Sequence, residues 1–458
     1  MRNMTEGSEG RQILLFSLPL MLSGFLQQAY NVVDSMIVGR VVGPAALAAI
    51  GASTAIVFLV LALLMGITNG LAVMVSQYFG AQKIDQLRRS VTTAFIFAPF
   101  ATVVLGAVGV LLSGPMLNLL GTPESVFGQA RLYLIITFLS IPFVAVYNLV
   151  GNVLRGVGDA KTPLYAVMIS ASMNVVLDIW FVAGLNWGVA GAAIATAISQ
   201  FASGLIEIIY VFKKMPMLRF TRKELIYDAQ LMRTMLRIGI PSALQMGLMS
   251  MGFLVVQRMV NSFGDATMAA YTAANRIDGL TSMAIMNLGN AMAVFSGQNV
   301  GAGKLDRVRN GYRQALLISL VFCLFTALLV NRYGHLLMIM FVKAEETAVI
   351  AIGARFIQIM CYFYFAFGLL NISGGYLRGA GDVVFVMGST VLSLVVRVLV
   401  ARVFITTPLG ADGLVWAMPV GWLVTALANN LRIRSGAWKK SAVVDVDTEP
   451  AAQEPEPA

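Results

Sequence analysis

Polar side chains follow one face of the first apolar segment of the chain. Gln27, Tyr30, Asn31 and Asp34 stand at i, i+3, i+4 and i+7, a spacing that places them on one face of an α-helix. Asp34 has no Lys or Arg within four positions on either side. Because polar groups without partners are costly against lipid, we expect this face to contact protein or water.

A second carboxylate occurs in the fifth apolar segment. Asn174 and Asp178 share a helix face by the same spacing, and Thr196 follows in the sixth segment at a similar depth. Two carboxylates in one desolvated pocket favour a shared proton, so Asp34 and Asp178 predict a proton acceptor. The oxygens of Asp34, Asn174, Asp178 and Thr196 would also suit Na⁺, a hard cation. A purely structural hydrogen-bonding role is the third alternative.

The composition indicates that these residues lie in membrane-spanning helices. Of 458 residues, 58% are hydrophobic and only 12% are charged, whereas soluble proteins carry roughly 25% charged residues. Apolar runs of about 20 residues can cross a hydrocarbon core, and the sequence contains twelve of them. The sequence therefore predicts an all-α membrane protein with twelve transmembrane helices.

The distribution of basic residues predicts the orientation. Numbered from a cytosolic N-terminus, one side collects 23 of the 32 Lys and Arg residues, among them Arg2, Arg222 and Lys223. The positive-inside rule then places both termini in the cytosol of a bacterial inner membrane. The net charge of +10 is thus a topology signal, and no nucleic acid partner is expected.

Metal and enzymatic motifs are absent from the sequence. Cys323 and Cys361 form no CxxC motif, and His335 is the single histidine, so we predict neither a metal site nor a cofactor. HExxH, clustered His and GxSxG are also missing, which argues against a membrane-embedded enzyme. The polar N-terminus before a long apolar run does not resemble a cleaved signal peptide.

The chain contains an internal duplication. "QYFGAQKIDQLRR" from Gln77 recurs as "QNVGAGKLDRVRN" from Gln298, and "LRGVGD" from Leu154 recurs as "LRGAGD" from Leu377, each about 222 residues apart. Because six spans are an even number, the two halves form parallel repeats, an architecture of secondary transporters with a central cavity. The predicted domains are an N-terminal lobe (1–215), a cytosolic linker (216–232), a C-terminal lobe (233–440) and a disordered acidic tail (441–458).

The glycine-containing repeats are interpreted as cytosolic turns in which Gly supplies φ > 0. "VGAGKLD" is no nucleotide-binding loop, because Gln298 replaces the first glycine of that motif and Leu305 follows the lysine. Any pumping must then draw on an ion gradient.

Together these motifs resemble the multidrug and toxic compound extrusion (MATE) family over residues 11–436. The resemblance rests on "LPLMLSGFLQQAYNVVDSMIVG", the duplicated Q-x-x-G-A-x-K loops and the duplicated LRGxGD motifs. "NVVLDIWF" is similar to the DinF-like branch of the family. The resemblance implies two six-helix lobes around a central cavity and a cation-responsive network in the N-terminal lobe. Its positions here are Gln27, Asp34, Asn174, Asp178, Thr196, a backbone carbonyl near Ala192, and Pro19 as a helix-1 kink.

The C-terminal lobe departs from this pattern. Gln257 or Val256 and Ala401 stand where the acids of the N-terminal lobe would repeat. The lobe instead carries a basic set with one acid: Arg258, Arg276, Asp278 and Arg397. We interpret it as an interhelical ion-pair network, with substrate or anion selection as the alternative.

The predicted function is secondary active multidrug efflux. A monomer in the lipid bilayer would export amphiphilic organic cations by antiport with H⁺ or Na⁺ through rocking of the two lobes. The sequence does not choose between the ions. A flippase for a lipid-linked precursor remains the alternative, because Arg258, Arg276 and Arg397 could bind pyrophosphate.

Overall fold

The computed structural model describes residues 3–221 and 224–444, and this part of the chain is helical with no strand. Arg2, Arg222, Lys223 and positions 445–458 of the predicted tail lie outside the described residues. The helices are α1 (Glu9–Val41), α2 (Pro44–Gly80), α3 (Ile84–Leu119), α4 (Glu124–Gly156), α5 (Lys161–Asp178), α6 (Gly188–Lys214), α7 (Ala229–Asn261), α8 (Asp265–Gly301), α9 (Leu305–Ile339), α10 (Thr347–Tyr362), α11 (Tyr364–Gly379), α12 (Val383–Phe404) and α13 (Asp412–Ser435). A π-helical turn (Ile179–Gly184) follows α5 directly, and 3₁₀ turns occupy Pro216–Leu218 and Ala437–Ser441.

These helices supply twelve spanning elements. Within the described residues, ten single helices are long and apolar enough to cross a membrane, and α10 with α11 forms an eleventh, bent span. The twelfth is α8, whose 37 residues extend over roughly 55 Å and are long enough to span, although α8 is less apolar than the other spans. The all-α, twelve-span architecture predicted from the sequence is thus the one observed.

The tenth span is broken, which the apolar run alone did not reveal. α10 and α11 meet at Phe363 and are bent by 50°. The Phe363 backbone leaves the helical region at φ −107° and ψ 9°. Its N–H donates to the Met360 carbonyl at 3.0 Å, a three-residue bond in place of the four-residue bond of an α-helix. The local tightening accounts for the bend.

The chain groups into two compact units whose borders fall inside three helices, α1, α2 and α7, and after Gln82. One unit comprises Leu22–Val75 and Lys83–Ala243, and the other comprises Asn3–Met21, Ser76–Gln82 and the described chain from Leu244 onward. The predicted borders at 215 and 233 stay a prediction. The first half of α1 belongs to the second unit, and the first half of α7 belongs to the first.

The duplicated motifs bring helix ends close together and turn the chain. At Gly80 an added Cβ would collide with the Gln298 carbonyl, and at Gly301 it would collide with the Gln77 carbonyl. In the LRGxGD motifs, Gly158 and Gly381 have φ of 83° and 91°. The prediction of positive φ is confirmed for that glycine of each LRGxGD motif and for Gly303 of "VGAGKLD" at 72°, whereas Gly80 and Gly301 are helical and serve close packing.

The first residues of the predicted tail are held by hydrogen bonds. Gln77 Oε1 accepts from the backbone N–H groups of Val443 at 2.7 Å and Val444 at 3.3 Å, and Gln77 Nε2 donates to the Gly379 carbonyl at 2.8 Å. Residues 441–444 are therefore ordered, although the sequence assigned them to the disordered tail.

Candidate cation-binding site

Two carboxyl groups meet inside the first unit. Asp34 lies on α1, and Asp178 is the last residue of α5 and is fully buried. The two carboxyl groups lie within hydrogen-bonding reach of each other. Since an ionised carboxylate only accepts hydrogen bonds, this contact is favourable when a proton or a cation joins the two groups. We call Asp34 and Asp178 the acidic pair.

The buried oxygens around the acidic pair have no donor among the described residues. Asp34 Oδ1, Asn174 Oδ1 and both Asp178 carboxyl oxygens are buried and accept no hydrogen bond. Buried acceptors are ordinarily satisfied, and an unpaired one costs about 1–3 kcal/mol. Four such oxygens at one place indicate a site for a positive charge.

Asn174 and Thr196 complete the polar wall of the site. Asn174 lies one turn before Asp178 and is 2% exposed, and its Nδ2 donates to Thr196 Oγ1 at 3.4 Å. This bond orients the amide so that its carbonyl oxygen stays free beside the carboxyl groups. Carboxylate, amide and hydroxyl oxygens are ligands that hard cations accept.

Two tyrosines border the acidic pair. Tyr30 on α1 bonds to Gln27, and Tyr133 on α4 lies close enough to interact electrostatically with both acids. Gln27 itself is exposed, so it contacts the site through Tyr30. Tyr133 was missed by sequence reasoning, because nothing in α4 marks it out before α4 packs in place.

Apolar side chains close the region beside the acidic pair. Val38, Val182 and Ala192 belong to one buried cluster, against which Tyr133 packs. The side chain of Ala192 is 1% exposed and lies in this cluster. A role for a backbone carbonyl near Ala192 stays a prediction.

A change of helix type positions Asp178. The α-helix ends at Asp178, and the next six residues form the π-helical turn, in which the Leu185 N–H donates to the Trp180 carbonyl at 2.9 Å. Phe181 in this turn stacks on Trp187 at 5.0 Å between ring centroids. π-Helical turns are rare and concentrate at functional sites, which fits its place next to a buried acid.

Pro19 lies far from the acidic pair. α1 continues as one helix through Pro19, which is partly buried and about 22 Å along the helix from Asp34. Any coupling between Pro19 and the acids would therefore act through the helix itself, and the predicted kink stays a prediction.

The four C-terminal-lobe residues do not form one cluster. Asp278 Oδ1 accepts a 2.7 Å bond from the Tyr364 hydroxyl, and Arg397 lies near Asp278 with its Nε and Nη2 buried and unpaired. Arg258 and Arg276 are exposed. Within the described chain no ion pair includes any of these four residues, although Asp278 and Arg397 do share one buried environment.

A further acid escaped the sequence reasoning. Glu207 on α6 is fully buried, and neither of its carboxyl oxygens has a hydrogen-bond partner among the described residues. The signal that could have found it is helical spacing, since Thr196, Ser203 and Glu207 stand at i, i+7 and i+11.

Comparisons with known proteins agree with this architecture. The MatE family model matches twice, over residues 19–180 and 241–403, one match in each repeat. The chain is 30% identical over 436 residues to "Probable multidrug resistance protein YpnP" of Bacillus subtilis (strain 168), covering 95% of this chain and 97% of that protein. It is 24% identical over 428 residues to "Multidrug export protein MepA" of Staphylococcus aureus (strain bovine RF122 / ET3-1), covering 91% and 92%.

A solved structure has the same fold. The crystal structure of MATE in the bent conformation superposes with a TM-score of 0.89 at 22% identity, covering 96% of this chain and 98% of that one. These matches do not distinguish the branches of the family, so the DinF-like branch stays a prediction. The double match of the family model, together with full-length similarity to YpnP, shows that this chain belongs to the MATE family of multi-pass membrane transporters and is not an enzyme.

Proposed function

We propose that this protein exports amphiphilic organic cations by antiport and that the acidic pair binds the coupling ion. The contact between the Asp34 and Asp178 carboxyl groups without a donor carries the proposal. The names of YpnP and MepA support multidrug export as the transported class. They do not favour a lipid flippase, so that alternative is not proposed.

We propose the proton as the coupling ion. One proton between two carboxyl groups satisfies the contact directly, because the protonated group becomes a donor to the other. In the proposed cycle, proton uptake from outside displaces the drug, and proton release inside resets the carrier through motion of the two lobes. The distribution of Lys and Arg supports cytosolic termini in a bacterial inner membrane. The functional unit in this proposal is a monomer.

Ethidium export from proteoliposomes under an imposed pH gradient tests this proposal. Asp34→Asn and Asp178→Asn are each expected to slow gradient-driven export strongly, and Asp265→Asn, which removes an exposed acid, is expected to leave export unchanged. Undiminished export by both site variants would overturn the proposal.

Equilibrium binding identifies the ion. Wild-type ethidium affinity should weaken as the pH falls, by about 5–150-fold, the usual range for coupled sites, and the Asp178→Asn variant should show no such dependence. Replacing Na⁺ by choline at fixed pH should leave the ethidium affinity unchanged. A Na⁺ requirement at constant pH would make Na⁺ the coupling ion instead.

A further inference from the structure

Buried polar side chains continue from the acidic pair along α6. Thr196, Ser199, Gln200, Ser203 and Glu207 stand at i, i+3, i+4, i+7 and i+11, which places them along one side of the helix. We call these five residues the α6 polar stripe. It begins at Thr196, which accepts from Asn174, and it ends about 16 Å further along at Glu207.

Three residues of the stripe are buried and Thr196 and Gln200 are half-buried, yet most of its polar atoms lack protein partners. Ser199 and Ser203 are each 1% exposed, and Glu207 is 0% exposed. Ser199 Oγ, Gln200 Oε1, Ser203 Oγ and both Glu207 carboxyl oxygens have no hydrogen-bond partner among the described residues. Buried polar groups of this kind are ordinarily satisfied by bound water, which suits a hydrated path rather than dry packing.

Charged and phenolic groups of α4 and the turn after it surround Glu207. Arg155, Asp159 and Tyr147 interact with it electrostatically, and no charged group of α5 or of residues 216–218 is among its neighbours in the described chain. A Cβ added at Gly151 would lie 3.4 Å from both Glu207 Oε1 and Arg155 Nη2. The guanidinium is therefore adjacent, but it forms no ion pair with Glu207 within the described residues.

Asp159 is already occupied by other bonds. Its Oδ1 accepts from the backbone N–H groups of Lys161 at 3.1 Å and Thr162 at 3.0 Å, and its Oδ2 accepts from Thr162 Oγ1 at 2.7 Å. These bonds start α5 and hold Asp159 as a structural acceptor. Glu207 is consequently the acid in this cluster that is free to change its protonation.

The second repeat shows what the same position looks like without an acid. Asn429 stands about 222 residues after Glu207, next to Gly374 and Arg378 as Glu207 is next to Gly151 and Arg155. Asn429 Oδ1 accepts from Ser389 Oγ at 2.9 Å, and its Nδ2 donates to Ser373 Oγ at 3.4 Å. A neutral, fully bonded amide thus meets the packing requirement of the repeat, so packing does not explain a carboxylate at 207.

We propose that Glu207 is a second proton-binding site and that the α6 polar stripe carries the proton to it from the acidic pair. The inference rests on the proposed proton antiport, which supplies the proton. In each step a proton passes from one oxygen to the next, so one O–H bond breaks and another forms. The accepting oxygen belongs to a hydroxyl group or to a water bound by an amide or a carboxyl group, and no electrons are transferred. Glu207 accepts the proton as a carboxylate and releases it to cytosolic water at the end of α6 that carries Lys213 and Lys214.

Glu207→Gln separates this role from the function of the acidic pair. The variant should keep the wild-type pH dependence of ethidium affinity, because the acidic pair is intact. Its gradient-driven export and ethidium-induced proton flux should fall by about 100-fold, the low end for a positioned proton-transfer group. The melting temperature in detergent reports whether the variant is folded.

A second variant addresses the stripe without removing an acid. Ser203→Ala should slow ethidium-induced proton flux while leaving the pH dependence of ethidium binding unchanged. Thr425→Ala is the matched control, because Thr425 holds the equivalent position in the second repeat and bonds to the Ser389 and Gly421 carbonyls. It should leave proton flux at the wild-type rate.

The outcomes distinguish the two proposals. If Glu207→Gln and Ser203→Ala both export at the wild-type rate across pH 6 to 8 while the acidic-pair variants fail, the second site is refuted and the antiport stands. If Glu207→Gln lowers ethidium affinity as well as proton flux and drug export, Glu207 serves the drug site and the inference is also refuted. Full export by the acidic-pair variants would refute the proposed function itself.

Discussion

The carboxyl group of Asp34 on α1 faces that of Asp178 at the end of α5, and their buried oxygens receive no hydrogen bond from the described chain. The proposed shared ion requires the two acids to act as a unit. The double variant Asp34→Asn/Asp178→Asn should therefore export ethidium no more slowly than the worse single variant. Rates in proteoliposomes measure this, and two independent, multiplying losses would contradict a shared ion.

The π-helical turn after Asp178 predicts a sensitive glycine. A Cβ at Gly191 would lie 3.1 Å from both the backbone C and the Cβ of Phe181. Gly191→Ala should push this turn away from α6, lowering export and costing about 1–3 kcal/mol of stability, as overpacking does. Gly128→Ala on α4 is the control, because nothing lies within 4 Å there. Thermal unfolding in detergent checks both, and equal melting temperatures would contradict the prediction.

The duplicated Q-x-x-G motif predicts a second sensitive glycine. Gly301→Ala would place its Cβ against the Gln77 carbonyl. We therefore expect the variant to lose about 1–3 kcal/mol of stability or to fail to accumulate in the membrane. Gly279→Ala on the same helix has open space and should gain up to about 1 kcal/mol. Membrane yield and melting temperature report the difference. Equal stability of the two variants would show that the close approach is not required.

The hydrogen bond from the Tyr364 hydroxyl to Asp278 is expected to stabilise the fold. Tyr364→Phe removes the donor at 2.7 Å and leaves the half-buried Asp278 without it, so stability should fall by about 1–3 kcal/mol. Tyr362→Phe removes an exposed bond to Asn331 and should change stability by less than about 0.5 kcal/mol. Unfolding measurements of the two variants provide the comparison. A silent Tyr364→Phe would mean that Asp278 has another partner.

Helix periodicity and composition predicted most of the fold. Apolar runs mark spans because hydrocarbon excludes unpaired backbone, and duplicated motifs mark the repeat regardless of tertiary contacts. The break at Phe363 was not predictable, because its neighbours are as apolar as those of an unbroken helix. It depends on a local three-residue hydrogen bond that composition does not encode.

The candidate site was predicted in part. Asp34 and Asp178 were found because acids are rare in apolar runs, and their proximity then depends on the tertiary fold, which brings α1 to the end of α5. Tyr133 and Glu207 were missed for different reasons. Tyr133 is an ordinary residue until α4 brings it to the acids, whereas the burial of Glu207 is established only once α6 packs against α4.

Because α1 belongs to both units, expressing the two repeats as separate chains would remove contacts of its first half. Residues 3–21 group with the second unit, where Glu9 pairs with Arg307 at 3.5 Å and the Gly10 N–H donates to Gln314 at 2.6 Å. An N-terminal half produced alone would carry this segment without those contacts. Two separately expressed halves should therefore be recovered as stable protein only when they are made in the same cell.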